Sequence, residues 1–134
     1  DMFTTLIGWA GGEVPKDREI DGKDQRPFFE GKQDTSAREG FPYWMGPTMY
    51  GAKWRHYKMK LYSQTNMWDP AQKLATPYLI NLKTDPKERN PADPRYSWTV
   101  RHLGHIMAEF QESVDREPLI PTGARLDYVP TRKK

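Results

Sequence analysis

The chain has 134 residues, no cysteine and a net charge of +3 with its histidines neutral. These values exclude disulfides, thiolate metal ligands and a cysteine nucleophile, and the interspersed charges are weaker than the clustered basic face of a nucleic-acid-binding protein. No apolar run approaches the ~20 residues of a membrane-spanning helix. Aliphatic residues are sparse, but 17 aromatic residues (5 Trp, 7 Tyr and 5 Phe) and 6 Met predict a small, aromatic-rich core.

The first forty residues predict a short helix followed by an irregular segment. The apolar residues of segment 1–10 share one broad face, and the glycine pair at 11–12 ends the helix. So short a helix is marginal alone and needs a partner surface. Because the pattern begins directly at Asp1, we expect further chain upstream. Residues 13–40 exceed an ordinary loop, so we expect them to wrap on a neighbour, anchored at 27–29.

The middle of the chain predicts an antiparallel meander. In segment 57–62, apolar residues alternate with lysines, the period of two that gives a strand one apolar face. Arg55 and His56 form a tight turn before it, and residues 64–75 form a loop after it. The four predicted strands span residues 41–45, 50–54, 57–62 and 78–82.

One long helix is predicted over residues 97–115. Its apolar stripe recurs at helical spacing, Ser97 is its predicted N-cap, and Gly104 indicates close packing because glycine weakens a helix. The stripe consists of Val100, Leu103, Met107, Phe110 and Val114. We therefore predict an α+β fold: a small four-stranded antiparallel sheet packed against one long C-terminal helix, with extended N- and C-terminal arms.

The sequence contains few candidates for catalysis. There is no phosphate-binding glycine loop and no G-x-S-x-G nucleophile turn. His102 and His105 can share a helix face at spacing i, i+3, but a catalytic zinc site needs a third protein ligand. Because both histidines fall off the apolar stripe, exposed or interface histidines are favoured over metal ligands. We assign no catalytic and no metal-binding residue to the chain.

The segment from Lys53 to Lys60 is the most strongly charged aromatic stretch. Three interpretations remain, in decreasing order of preference. It is a solvated hairpin whose lysines discourage sheet association, the rim of a substrate site for an oxyanion that arginine binds well, or a surface for single-stranded nucleic acid. Trp54, Arg55 and His56 are the candidate rim residues.

Several motifs, in order along nearly the whole chain, resemble the type I arylsulfatases. Residues 1–6 resemble the helix after the last active-site segment of that family, and residues 51–59 resemble its C-terminal hairpin. Residues 79–90 are similar to the family's N-L-x-x-D-P-x-E-x-x-N strand and turn. The family's interdomain linker is similar to residues 21–25, 28–33 and 38–40. The end of its chain is similar to residues 121–124 and 127–130.

The resemblance implies a catalytic domain of the alkaline-phosphatase-like fold and a smaller C-terminal subdomain. That family hydrolyses sulfate esters with a formylglycine made from the Cys or Ser of a C/S-x-P-S-R motif, together with a divalent cation, usually calcium. Neither that motif nor an Asp-Asp pair occurs here. Calcium and formylglycine are therefore expected in a catalytic domain outside this chain. Residues 1–40 would then be the end of a catalytic-domain helix and linker, and 41–134 the C-terminal subdomain.

The favoured hypothesis is a C-terminal arylsulfatase fragment that packs on the missing catalytic domain and borders its substrate cleft. Whether the chain alone belongs to an enzyme stays uncertain, and the resemblance allows a periplasmic or a cytoplasmic location. A further copy of the chain is a second possible partner of the exposed docking face, whereas membrane and nucleic-acid partners are disfavoured. The docking face is predicted to include Met2, Phe3, Leu6 and Phe28.

Two other hypotheses remain. The chain could be a stand-alone module that binds a sulfated glycan or nucleic acid through the hairpin from Lys53 to Lys60. It could also be a metal hydrolase that uses His102 and His105.

Overall fold

The computed structural model describes residues 1–90, 93–118, 120–121 and 123–128. The chain forms two compact units, one comprising Asp1–Glu39 with Asp115–Lys134 and the other Gly40–Val114. No helix among the described residues is long and apolar enough to cross a membrane. The elements are α1 (Met2–Trp9), α2 (Arg26–Phe29), β1 (Gly40–Met45), β2 (Thr48–Trp54), β3 (Tyr57–Ser63), β4 (Gln72–Asn81), a 3-10 helix (Pro94–Thr99) and α3 (Val100–Arg116).

The buried side of α1 is polar. Thr4 and Thr5 are buried, and their hydroxyls donate hydrogen bonds to the Asp1 carbonyl at 2.8 and 2.7 Å. The backbone N–H of Gln25 donates to the Thr5 hydroxyl at 3.0 Å. The irregular segment thus satisfies its backbone groups on the threonines of α1, and the apolar side of the helix faces away from this contact.

Helix α2 was missed by the sequence analysis, which predicted only an irregular segment there. Pro27 stands in its first turn, a position that proline favours. The Arg26 guanidinium donates to the Gly8 carbonyl at 2.7 Å and to the Asp24 carboxylate at 2.8 Å. Polar contacts therefore order this stretch, and such contacts leave no hydrophobic periodicity in a sequence.

The predicted meander is confirmed. The sheet has the order β1-β2-β3-β4, and every neighbouring pair is antiparallel. Strand β4 begins at Gln72, earlier than predicted, and its register with β3 shifts between Lys60 and Tyr62. At Gly51, a Cβ would collide with the Met59 carbonyl oxygen and the Tyr43 hydroxyl, so only glycine fits at this point of β2.

The core lies between one face of the sheet and α3, which confirms the predicted fold class. Leu103 is completely buried, whereas Val100 is 41% exposed. The predicted stripe is therefore wrong at Val100, because the helix faces the sheet with Leu103, Ile106 and Met107. The buried cluster consists of Ala52, Trp54, Met59, Leu79 and Leu103.

Two predictions for the long helix are wrong. The helical segment is capped by Asp93, whose carboxylate accepts the Arg95 N–H at 3.0 Å, and not by Ser97. The 3-10 helix that follows Asp93 continues directly into α3. A Cβ at Gly104 would meet no atom within 4 Å, apart from the backbone of its own helix, so close packing does not explain this glycine. In the last predicted motifs, Thr122, Val129 and Pro130 lie outside the described residues.

Candidate functional site

The two-residue turn between β2 and β3 projects Arg55 into solvent. Trp54 and Tyr57 are cross-strand partners, which leaves Arg55 and His56 as the turn. Arg55 has φ 52°, a left-handed conformation that costs a residue with a Cβ about 1–2 kcal/mol. The ammonium group of Lys53 donates to the Arg55 carbonyl at 2.5 Å. The turn is thus stabilised by its own lysine although its backbone is strained.

Aromatic rings support the turn from the helix side. Trp54 stacks on His102 with ring centroids 4.3 Å apart and an interplanar angle of 6°, and Trp98 meets Trp54 edge to face at 6.0 Å. The Arg55 guanidinium lies 4.8 Å from the Trp54 ring centroid. Trp98 stays 53% exposed. The structure therefore gathers rings from β2, the 3-10 helix and α3 around a cationic turn.

A fourth basic residue joins the three at the turn. The Leu82 N–H donates to the His56 carbonyl at 2.8 Å, which places Lys83 beside the turn. Burial, and then the positive charges of Lys83, Lys53 and Arg55, lower the pKa of His56. We call Lys53, Arg55, His56 and Lys83 the tip cluster. Sequence reasoning missed Lys83, although antiparallel pairing of the two predicted strands 57–62 and 78–82 would have indicated it.

The other two lysines of the predicted cationic stretch, Lys58 and Lys60, are paired with Glu88, and we call these three residues the back of the hairpin, although Lys58 is the cross-strand partner of Lys53 and lies on the same face of the sheet. Lys58 contacts the Glu88 carboxylate at 2.6 Å and Lys60 contacts it at 3.7 Å. The turn that contains Glu88 is closed by Asp85, whose carboxylate accepts the N–H groups of Asn90 and Arg89 at 2.8 and 3.0 Å. These hydrogen bonds lower the pKa of Asp85. The stretch from Lys53 to Lys60 therefore divides into a tip and a neutralised back.

The two helical histidines serve different contacts. His102 stacks on Trp54 as described, and His105 lies 3.3 Å from the Glu109 carboxylate. Within the described residues, no group of three His, Cys, Asp or Glu is placed to hold a metal ion. The described part of the chain thus offers these histidines no third protein ligand of the kind a catalytic zinc site requires.

An apolar pocket of about 460 Å³ lies between β4 and the 3-10 helix. It accounts for the exposure of Val100, which lines it. The single charged residue of its lining, Asp93, is held by the Arg95 guanidinium, which donates three further hydrogen bonds at 2.6–3.1 Å. The pocket thus lacks the convergent polar groups of a typical ligand site. Its lining residues are Thr76, Pro77, Leu79, Asp93, Pro94, Ser97 and Val100.

Proteins of known activity resemble the chain over most of its length. Human Arylsulfatase D is 27% identical over 145 aligned positions, which cover 88% of this chain and 24% of that protein. N-acetylgalactosamine-6-sulfatase of Sus scrofa is 30% identical and covers 85% of this chain. The chain is a relative of the sulfatases. The PsFucS1 sulfatase from Pseudoalteromonas sp. shares the fold, with a TM-score of 0.78, 22% identity and 90% of this chain covered.

The chain spans about a quarter of the length of these relatives, 24% of Arylsulfatase D and 26% of both other proteins. No known family profile matches it. The findings agree with the C-terminal sulfatase subdomain that the motifs predicted. In this chain, the segment that resembles the family's strand and turn supplies the Leu82 contact to the tip and the Asp85 and Glu88 contacts at the back.

Proposed function

We propose that the chain is the C-terminal subdomain of a sulfuric ester hydrolase and that its hairpin tip borders the substrate cleft. The supporting observation is that sulfatases match 85–88% of the chain while the chain covers only 24–26% of them. Calcium and formylglycine chemistry belongs to the catalytic domain in this proposal. The chain contributes packing and a rim, and no catalytic step is assigned to its residues.

The proposed contact with the catalytic domain is the apolar side of α1 and α2. Met2, Phe3, Leu6 and Phe28 are between 39 and 55% exposed. The rings of Trp9, Phe28 and Phe29 extend this surface, with neighbouring centroids 5.7–5.9 Å apart. Exposed apolar patches of this kind commonly mark an interaction site. We propose that residues 1–40 belong with the catalytic domain as its last helix and linker, and that residues 41–134 form the subdomain.

The proposed rim consists of Trp54, Arg55 and His56. A guanidinium donates paired hydrogen bonds to the oxygens of a sulfate group, and Arg55 is exposed at the end of the hairpin. Trp54 fixes the guanidinium by a cation–π contact at 4.8 Å. This arrangement suits a rim that attracts and orients the negatively charged end of a sulfate ester.

The first test is the DNA sequence upstream of the Asp1 codon. We expect an open frame that encodes a C/S-x-P-S-R motif and an Asp-Asp pair. A start or stop codon immediately upstream would contradict the proposal. It would leave the sulfatase relationship as common ancestry without shared activity.

The second test concerns the rim and uses the full-length protein. Arg55→Ala should raise KM for an aryl sulfate about tenfold or more, because a hydrogen bond to a charged group contributes about 1.5–3 kcal/mol. An unchanged kcat would identify ground-state binding. Arg125→Ala, at an exposed arginine outside the tip, is the matched control. Equal KM values for the two variants would refute the rim.

A stand-alone anion-binding module is the second candidate. It is favoured by one observation: within the described part of the chain, neither Lys53 nor Lys83 forms an ion pair. It predicts salt-sensitive binding of a sulfated glycan or nucleic acid. Unchanged binding after Arg55→Ala and Lys58→Ala would exclude it.

A further inference from the structure

The back of the β2–β3 hairpin holds a compact charge cluster. Lys58, Lys60 and Glu88 have side chains that are 23, 32 and 26% exposed. Partial burial weakens screening by water and salt, so these contacts are stronger than those of a fully exposed pair. One carboxylate thus lowers the effective charge of two lysines.

Glu88 occupies an unusual backbone position. Its φ is 54°, in the left-handed region that glycine or asparagine normally occupies. The Asp85 carbonyl and carboxylate hold the turn by accepting the N–H groups of Glu88, Arg89 and Asn90 at 2.8–3.1 Å. Glycine would suit this backbone better but would remove the carboxylate. The negative charge of Glu88, and not a preference for this backbone conformation, therefore explains a glutamate at this position.

The tip cluster differs from the back in its charge balance. Its ammonium groups, those of Lys53 and Lys83, have no ion pair among the residues that the structure describes. Lys53 is held by the Arg55 carbonyl and lies 5.8 Å from the Phe41 ring centroid. The lysine charges of this region that Glu88 does not pair thus lie beside one turn. A site of this extent matches one oxyanion group, whereas a polyanion needs a longer row of cations.

We propose that the tip cluster binds a single compact oxyanion, and that Glu88 determines this specificity by neutralising Lys58 and Lys60. The ligand class is a sulfate or sulfate ester group, and this inference rests on the proposed function of the tip as a substrate rim. Without Glu88, Lys58 and Lys60 would add two unpaired charges beside the tip cluster, and the surface would attract extended polyanions.

Salt-dependent binding of a single-stranded thymidine oligonucleotide tests the role of Glu88. Glu88→Gln should bind more tightly than wild type, and its log K against log salt slope should steepen by about 1.4, since two additional phosphate contacts contribute about 0.7 each. Glu112→Gln removes the same charge from an exposed site on α3 and should match wild type. Equal affinities and equal salt slopes of Glu88→Gln and Glu112→Gln would overturn the proposal.

A second variant keeps the test decisive if Glu88→Gln folds poorly. This double variant carries Lys58→Met and Lys60→Met and retains Glu88, so it removes two cations that the proposal treats as neutralised. Oligonucleotide binding should keep its wild-type slope. A slope reduced by about 1.4 would show that both lysines already contact phosphate, which contradicts the proposal.

Titration with inorganic sulfate tests the ligand. Amide signals of Arg55, His56 and Lys83 should shift, those of Lys58 and Lys60 should not, and Lys83→Gln should weaken binding about tenfold. Shifts at the back, or no shift at the tip, would refute the oxyanion site. If sulfate binds the tip but Arg55→Ala leaves KM of the full-length protein unchanged, the proposed rim fails and the oxyanion site stands.

Discussion

Replacing Arg55 with glycine should leave the chain more stable than replacing it with alanine. Arg55 has φ 52° in the two-residue turn. A Cβ in this conformation costs about 1–2 kcal/mol, and part of the benefit of removing it is lost because glycine makes the unfolded chain more flexible. We expect a net difference of about 0.5–1 kcal/mol in favour of glycine.

The comparison isolates the backbone because both variants remove the same guanidinium. The contact with the Trp54 ring at 4.8 Å, worth about 0.5–1 kcal/mol at an exposed site, disappears in both. Any other contact of the Arg55 side chain is lost equally.

Urea unfolding followed by tryptophan fluorescence measures the difference in the free energy of unfolding. Lys87→Gly against Lys87→Ala is the control, since Lys87 is exposed in a turn and is not among the residues with positive φ. At Lys87, alanine should be as stable as glycine or more so. Equal stability of the two Arg55 variants, or greater stability of alanine, would refute the assigned strain.

Three further outcomes follow from the core, the helix and the tip. Leu103→Ala should lower the free energy of unfolding by about 2–5 kcal/mol, because Leu103 is completely buried; a loss below about 1 kcal/mol would contradict its place in the core. Gly104→Ala should raise it by about 0.5–1 kcal/mol, since the added methyl group meets only its own helix; any loss would contradict the open space. Lys83→Gln should raise the pKa of His56, measured by NMR titration, and an unchanged pKa would place Lys83 elsewhere. Because burial and nearby cations lower this pKa, the unfolded chain binds the proton more tightly, and His56 should reduce stability as pH falls below the ordinary histidine range.

Local rules were sufficient for the centre of the sheet. The alternation in segment 57–62 predicted that Met59 would be buried, and Tyr57 and Leu61 pack against the same core. The same rules missed the first half of β4, because its residues from Gln72 to Thr76 are mostly exposed. That half is held by backbone pairing of Gln72 and Lys73 with β3, which leaves no apolar pattern.

The start of the long helical segment could have been predicted better. Asp93 followed by Pro94 combines a favoured N-cap with proline in the first turn, a signal stronger than Ser97 alone. Gly104 could not have been interpreted correctly, because helix propensity gives the cost of a glycine but not its neighbours. Val100 was misplaced for a similar reason: the stripe has helical spacing, but the sheet covers only part of its length.

The candidate site was partly predictable. Arg55 and His56 follow from the turn between two amphipathic strands. His102 could not be assigned to the site from its own helix, since the stack on Trp54 depends on how α3 crosses the sheet. The pairing of Lys58 and Lys60 with Glu88 also joins residues far apart in sequence. Sequence reasoning therefore found the cationic stretch but not its division into tip and back.

Two turns beside the charged surface have backbone conformations that oppose stability, and they share one property. Arg55 and Glu88 are the described non-glycine residues with positive φ, and each belongs to a turn that glycine would form at lower cost. One places a positive charge at the tip, and the other places a negative charge against Lys58 and Lys60. The core does not need either charge, because it is formed by Trp54, Met59 and Leu103 with their neighbours. Backbone strain that is retained at two charged turns and is absent from the core indicates a role in recognition. Function is therefore better tested at these turns than at the two histidines of α3.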